Sequence, residues 1–88
     1  MAIAMLFELP GGTQEQYDAV LNEVGTSYPG RQFHVAGPVE GGWRVVDVWE
    51  SQEAFDRFFN EKLGKALRNV GMAQPQVTVF PVHNLLYS

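Results

Sequence analysis

The sequence predicts an α+β domain of ferredoxin-like βαββαβ order: a four-stranded antiparallel sheet with two helices on one face. Three observations lead there. Four short apolar or alternating segments are bounded by Pro and Gly clusters, as strands are. Two segments between them repeat apolar residues at helical spacing behind good capping residues. The segments follow one another as strand, helix, strand, strand, helix, strand. The 88 residues suffice for a single domain, 1–88.

The first strand is residues 2–9, an apolar run broken only by Glu8 and closed by Pro10-Gly11-Gly12. Thr13 stands three residues before Gln16, a capping box that satisfies two free amide donors at a helix start. Tyr17, Val20, Leu21 and Val24 then form an apolar stripe, which Gly25 ends. After the Pro29-Gly30 turn, residues 31–36 form a second strand. Arg31, Phe33 and Val35 alternate there against Gln32, His34 and Ala36. Residues 37–42, Gly-Pro-Val-Glu-Gly-Gly, supply a hairpin. The third strand puts Trp43, Val45, Asp47 and Trp49 on one face and Arg44, Val46, Val48 and Glu50 on the other. Ser51 is an N-cap and Glu53 complements the helix dipole. Phe55, Phe58, Phe59, Leu63, Ala66, Leu67 and Val70 continue as a helical stripe, with Glu53–Arg57 and Glu61–Lys65 spaced as ion pairs and Gly71 as the stop. Residues 76–82 form the fourth strand, and Pro81 places it at an edge or bulge.

Only one sheet face can be covered by two helices, yet strands 1 and 3 are apolar on both. Charged residues are 18% of the chain, below the roughly 25% of ordinary domains, while 45% are hydrophobic and 12% aromatic. A chain this short buries only about 60–65% of its unfolded surface, and without cysteine no disulfide or thiolate metal site compensates. A homodimer is therefore expected, the second face meeting another copy. The net charge of −4 and scattered basic residues argue against nucleic acid. No run approaches the roughly 20 apolar residues of a membrane span, and the start lacks a basic leader and cleavage site, so a cytoplasmic protein is expected.

His34 and His83 are the two imidazoles and the candidate general bases. Closing the hairpin with Gly37 opposite Gly42 sets His34 across from Val45, on the Trp43–Asp47–Trp49 face, where Asp47 can orient it; a one-residue slip moves it to the other face. The alternative for each histidine is a structural or interface role. Asp47 among tryptophans needs a partner, either at a functional site or in a salt bridge with Arg31 or Arg44. Trp43 and Trp49 can stack on a planar ligand or simply fill the core. Tyr17 and Tyr28 can hydrogen-bond a ligand from the helix side. The Phe55, Phe58 and Phe59 cluster is core material that can also wall an apolar cavity. No metal-ligand spacing and no phosphate loop is present, and Ser27, Ser51 and Ser88 show no nucleophile setting.

The stretch Gly41-Gly42-Trp43-Arg44-Val45-Val46-Asp47-Val48-Trp49-Glu50-Ser51, followed by Glu53-Ala54-Phe55-Asp56-Arg57-Phe58-Phe59, resembles the dimeric α+β barrel superfamily, in particular its antibiotic-biosynthesis-monooxygenase-like branch. The resemblance implies two ferredoxin-like sheets packed face to face, with a small-molecule pocket in each monomer between sheet and helices. It also implies a choice of activities: cofactor-free monooxygenation of aromatic polyketides, haem degradation, polyketide cyclisation or lactone isomerisation. Haem-degrading relatives place Asn on the first strand and a ligand His on the second helix. Residues 2–9 hold no Asn and residues 52–70 no His, so that activity is not expected. Quinone-forming relatives use Trp and Asn; Trp43 or Trp49 matches the former, while neither Asn60 nor Asn84 matches the latter.

These readings converge on a homodimer whose aromatic-lined pocket binds a small planar aromatic or polyketide-type molecule. His34, assisted by Asp47, removes a proton from a phenol or activated carbon, and the carbanion reacts with oxygen without a cofactor. The ligand-facing set is Trp43, Trp49, Tyr17, Tyr28, Phe55 and His83. The alternatives are a non-catalytic ligand-binding or structural dimer, and a cyclase or isomerase on the same fold.

Overall fold

The computed structural model describes residues 1–86, so Ser88 lies outside the described residues. Its elements are β1 (Ile3–Pro10), α1 (Gln14–Val24), β2 (Arg31–Val39), β3 (Gly42–Trp49), α2 (Gln52–Phe58), a π-helical turn (Phe59–Leu63), α3 (Gly64–Asn69) and β4 (Gln76–Pro81). The sheet order is β2-β3-β1-β4 with every pair antiparallel, which is the ferredoxin-like arrangement the sequence predicts.

The local signals act as expected. Thr13 and Gln16 exchange both capping-box hydrogen bonds, and Ser51 Oγ accepts from the Ala54 amide at the start of α2. Gly25 and Gly71 follow the helical segments with positive φ. Pro81 closes an edge strand, where a missing N–H costs no ladder bond.

The second helical segment differs from the single stripe expected. A π-helical turn interrupts it, while the backbone stays right-handed helical through both junctions. One extra residue in a turn rotates everything beyond it relative to what precedes. Phe59, the first residue of that turn, is 37% exposed instead of joining the core, and its ring closes against Gly64, where a Cβ would stand 3.2 Å from the ring. Glu61 is turned away from Lys65 and accepts from the Tyr28 hydroxyl at 2.5 Å. Among the described residues, neither helical ion pair expected from the spacing forms.

The hairpin is tighter than the glycines suggest. Val39 pairs with Gly42 across a two-residue turn, Glu40-Gly41, in which Gly41 takes φ +80°. Gly37 and Pro38 therefore belong to β2, an edge strand that tolerates the proline. Relative to the expected closure the register moves by two residues, which preserves faces. His34 thus keeps its expected side of the sheet but lies opposite Asp47, not Val45. A bulge between Arg31 and Phe33 makes a second correction. It breaks the expected alternation, so that Arg31 pairs with Trp49 on the helix-covered face while Phe33 pairs with Val48 on the other.

The helix-covered face carries the core, with Trp49 fully buried among Phe55, Phe58 and Tyr28. The opposite face is ordered in rows across the sheet: Phe33, Val48, Ala4, Phe80; then Val35, Val46, Leu6, Thr78; then Gly37, Arg44, Glu8, Gln76. The first two rows are apolar but for Thr78, and Val35 and Phe80 are 50% and 54% exposed. The third holds the Glu8–Arg44 ion pair, which raises the Arg44 pKa through its hydrogen bond and charge. Neither Arg44 nor Arg31 is the partner of Asp47, contrary to the salt bridge considered from the sequence.

Candidate active site

The bulge, the hairpin register and α1 bring four polar side chains together under the helices. Trp49 Nε1 donates to Asp47 Oδ2 at 3.1 Å. Asp47 Oδ1 lies 2.6 Å from His34 Nδ1, and His34 Nε2 lies 2.6 Å from the Tyr17 hydroxyl. Asp47 is 4% exposed, the one charged residue buried in the core among the described residues. Its two oxygens each meet a donor, which answers the cost of burying a carboxylate. A carboxylate can only accept, so His34 Nδ1 carries a proton and donates to Asp47; in the neutral imidazole Nε2 then accepts from Tyr17. Burial pushes the Tyr17 pKa up. Arg31 opposes that shift, while Asp47 and Asp18 add to it. Tyr17 therefore stays a neutral phenol, and a donor, through the neutral range.

This chain of hydrogen bonds forms the wall of a cavity of about 70 Å³ between α1, the second helical segment and the sheet. Tyr17, Arg31, His34 and Asp47 are its polar walls; Phe7, Val45, Phe58, Leu67 and Met72 are among the apolar ones. A second, more open cavity of about 360 Å³ adjoins it, reaching Thr26, Ser27, Tyr28, Gln32 and Phe33. The two share Tyr17, Leu21, Arg31 and His34. An inner, mostly apolar chamber and an outer vestibule thus lie on either side of a shared polar sill. The inner chamber alone is smaller than the roughly 300 Å³ at which ligand pockets begin, whereas the vestibule reaches that range.

The residues singled out from the sequence divide accordingly. His34, Asp47 and Tyr17 come together. Tyr28 lines the vestibule, packing on Phe58 at 4.8 Å between centroids, and its hydrogen bond to Glu61 raises its pKa. Trp49 supports Asp47 from behind, and Phe55 packs between Phe7 and Trp49; neither lines either cavity. Trp43 stacks beside Tyr17 at 5.4 Å without reaching a cavity wall, and its buried Nε1 has no hydrogen-bond partner among the described residues. His83 is exposed beyond β4, apart from the site. No asparagine lines either cavity. Sequence reasoning missed Arg31 as a site residue, because the bulge that turns it inward has no local signature.

No helix of the described residues is long and apolar enough to cross a membrane. The chain matches no family model, and no curated protein matches it. Solved structures do match in fold. A dimeric ferredoxin-like protein of unknown function from Thermobifida fusca YX superposes with a TM-score of 0.70 at 16% identity, over 93% of this chain and 92% of that one. A variant of SnoaB, a cofactor-independent oxygenase from Streptomyces nogalater, gives 0.67 at 14% identity over 99% and 96%. A candidate antibiotic biosynthesis monooxygenase from Chloroflexus aurantiacus J-10-fl gives 0.66 at 17% over 97% of each chain. The likeness to that branch read from the third strand and following helix therefore holds for the fold.

Proposed function

We propose that this chain forms a homodimer and, in each protomer, binds a small planar aromatic or polyketide-type molecule from which His34 abstracts a proton. The observation that carries this is the Tyr17–His34–Asp47 chain on the wall of a cavity whose lining is otherwise apolar except for Arg31. Asp47 holds the imidazole with Nε2 free of its own proton, the state a general base needs, and stabilises the imidazolium that forms. The substrate's acidic C–H or O–H takes the place of the Tyr17 hydroxyl at Nε2. Tyr17, a neutral donor, then turns to the substrate oxygen where negative charge develops. The planar ring spans the sill, part in the inner chamber and part in the vestibule.

In the monooxygenase form of the reaction, the deprotonated ring carbon passes an electron to molecular oxygen. The resulting radicals combine to a peroxide, which takes up a proton. Loss of water then leaves a carbonyl, so that a CH₂ group and O₂ become C=O and H₂O. The same deprotonation serves a cyclase or isomerase. The homodimer is supported by the two apolar rows of the outer face, which otherwise stand in water, and by the dimeric description of a protein sharing the fold.

One observation favours a non-catalytic binder: Tyr17 already occupies the lone pair of His34 Nε2. Oxygen uptake with product mass spectrometry, on anthrones and hydroxynaphthalenes under metal chelation, separates the readings. Uptake above the uncatalysed rate, with a product in which two hydrogens are replaced by one oxygen, is the expected result. Saturable binding without turnover gives the site to a binder, and no binding removes the proposal.

A further inference from the structure

We infer that the ligand of this site is an anion, its carboxylate held by Arg31 at the sill while its ring enters the inner chamber; this rests on the proposed reading and names its substrate class. Arg31 stands in the wall of both cavities, beside His34 and Tyr17. Its guanidinium lies over the rings of Trp49 and Phe58, at 6.0 and 5.8 Å from their centroids. Those contacts leave its N–H donors free. Of five N–H groups, one bonds outward, Nη2 to the Thr26 carbonyl at 3.0 Å. Among the described residues no carboxylate stands within ion-pair distance of Arg31, although the chain carries a net charge of −4 and Arg44, on the exposed outer face, is paired with Glu8.

The pairing inside the site points the same way. Asp47 is committed to His34 and Trp49 and does not pair with Arg31. Arg31 is left as a two-pronged donor matched to a carboxylate. The vestibule walls around it, Thr26, Ser27 and Gln32, are polar and neutral. The β-bulge is what delivers this cation, since regular alternation would send Arg31 to the opposite face.

Calorimetric titration of a hydroxynaphthoate against the parent naphthol tests it. The two share a ring and an acidic hydroxyl and differ in the carboxylate. Wild-type protein is expected to bind the hydroxynaphthoate at least about tenfold tighter, the ratio that one charge-assisted hydrogen bond supplies. Arg31→Met is expected to remove that preference, and Arg68→Gln on the exposed surface of α3 to keep it. Equal wild-type affinities, or a preference that survives in Arg31→Met, overturn the role of Arg31 and leave the proposed site standing. Failure of both ligands to bind overturns the two together. If Arg31→Met does not fold, the wild-type comparison decides alone.

Discussion

Replacing His34 with glutamine is expected to lower turnover of a substrate that must lose a proton by about 10²–10⁴-fold, the usual contribution of a positioned base. Glutamine reaches toward both Asp47 and Tyr17, so the cavity wall stays hydrogen-bonded and binding is retained. The loss therefore falls on kcat and not on KM. Asp47→Asn gives a drop of similar size for a different reason. Trp49 donates to one oxygen of Asp47, so the amide oxygen of the substituted side chain must face Trp49 and its NH₂ must face His34. The imidazole is then forced to carry its proton on Nε2, where the substrate needs an acceptor. Steady-state kinetics on both variants, with ligand binding measured in parallel, checks this. Full activity in either variant contradicts the assignment.

Val46→Glu is expected to convert the dimer to a monomer. Val46 lies in the middle apolar row of the outer face, between Val35 and Leu6. In a lone protomer the new carboxylate points to water and the fold stands. Between two sheets it becomes a buried charge without a partner, a penalty of about 3–5 kcal/mol, or roughly two to four orders of magnitude in dimer affinity. Analytical ultracentrifugation reads the outcome directly. A wild-type protein that sediments as a monomer at every concentration removes the dimer, and a Val46→Glu protein that stays dimeric moves the interface elsewhere.

The fold was legible because its signals are local and agree with one another: the Thr13–Gln16 box, the Ser51 cap, the terminal glycines and the alternation through Trp43 to Trp49. The site was legible in part for a geometric reason. A register error of two residues leaves every side chain on its face, so His34 and Asp47 share a face under either closure, although their direct opposition depended on a turn shorter than Gly37 and Gly42 suggest. Tyr17 was visible as the aromatic of an α1 stripe, but its bond to His34 is a contact between elements that no spacing reports. Phe59 stands at the margin of the α2 stripe, where spacing alone does not separate core from surface, and the π-turn that begins there, unmarked in the residues themselves, sent Glu61 to Tyr28. Arg31 was hidden by the bulge beside it: Arg31-Gln32-Phe33 alternates well in the sequence, and only pairing against Trp49 and Val48 shows that the alternation slips. Trp43 and Phe55 illustrate the opposite error, since strand and helix aromatics beside a cavity need not line it.

Proton abstraction by His34 is best tested apart from oxygen, so that monooxygenase, cyclase and isomerase outcomes all count. The measurement is the rate at which an anthrone exchanges its ring-carbon hydrogens for deuterium in anaerobic D₂O, followed by proton NMR. Wild-type protein is expected to accelerate the exchange well above the buffer rate, saturably in anthrone, and His34→Gln to bind the anthrone without accelerating it. Saturable binding with exchange no faster than in buffer, or equal acceleration by His34→Gln, contradicts the account.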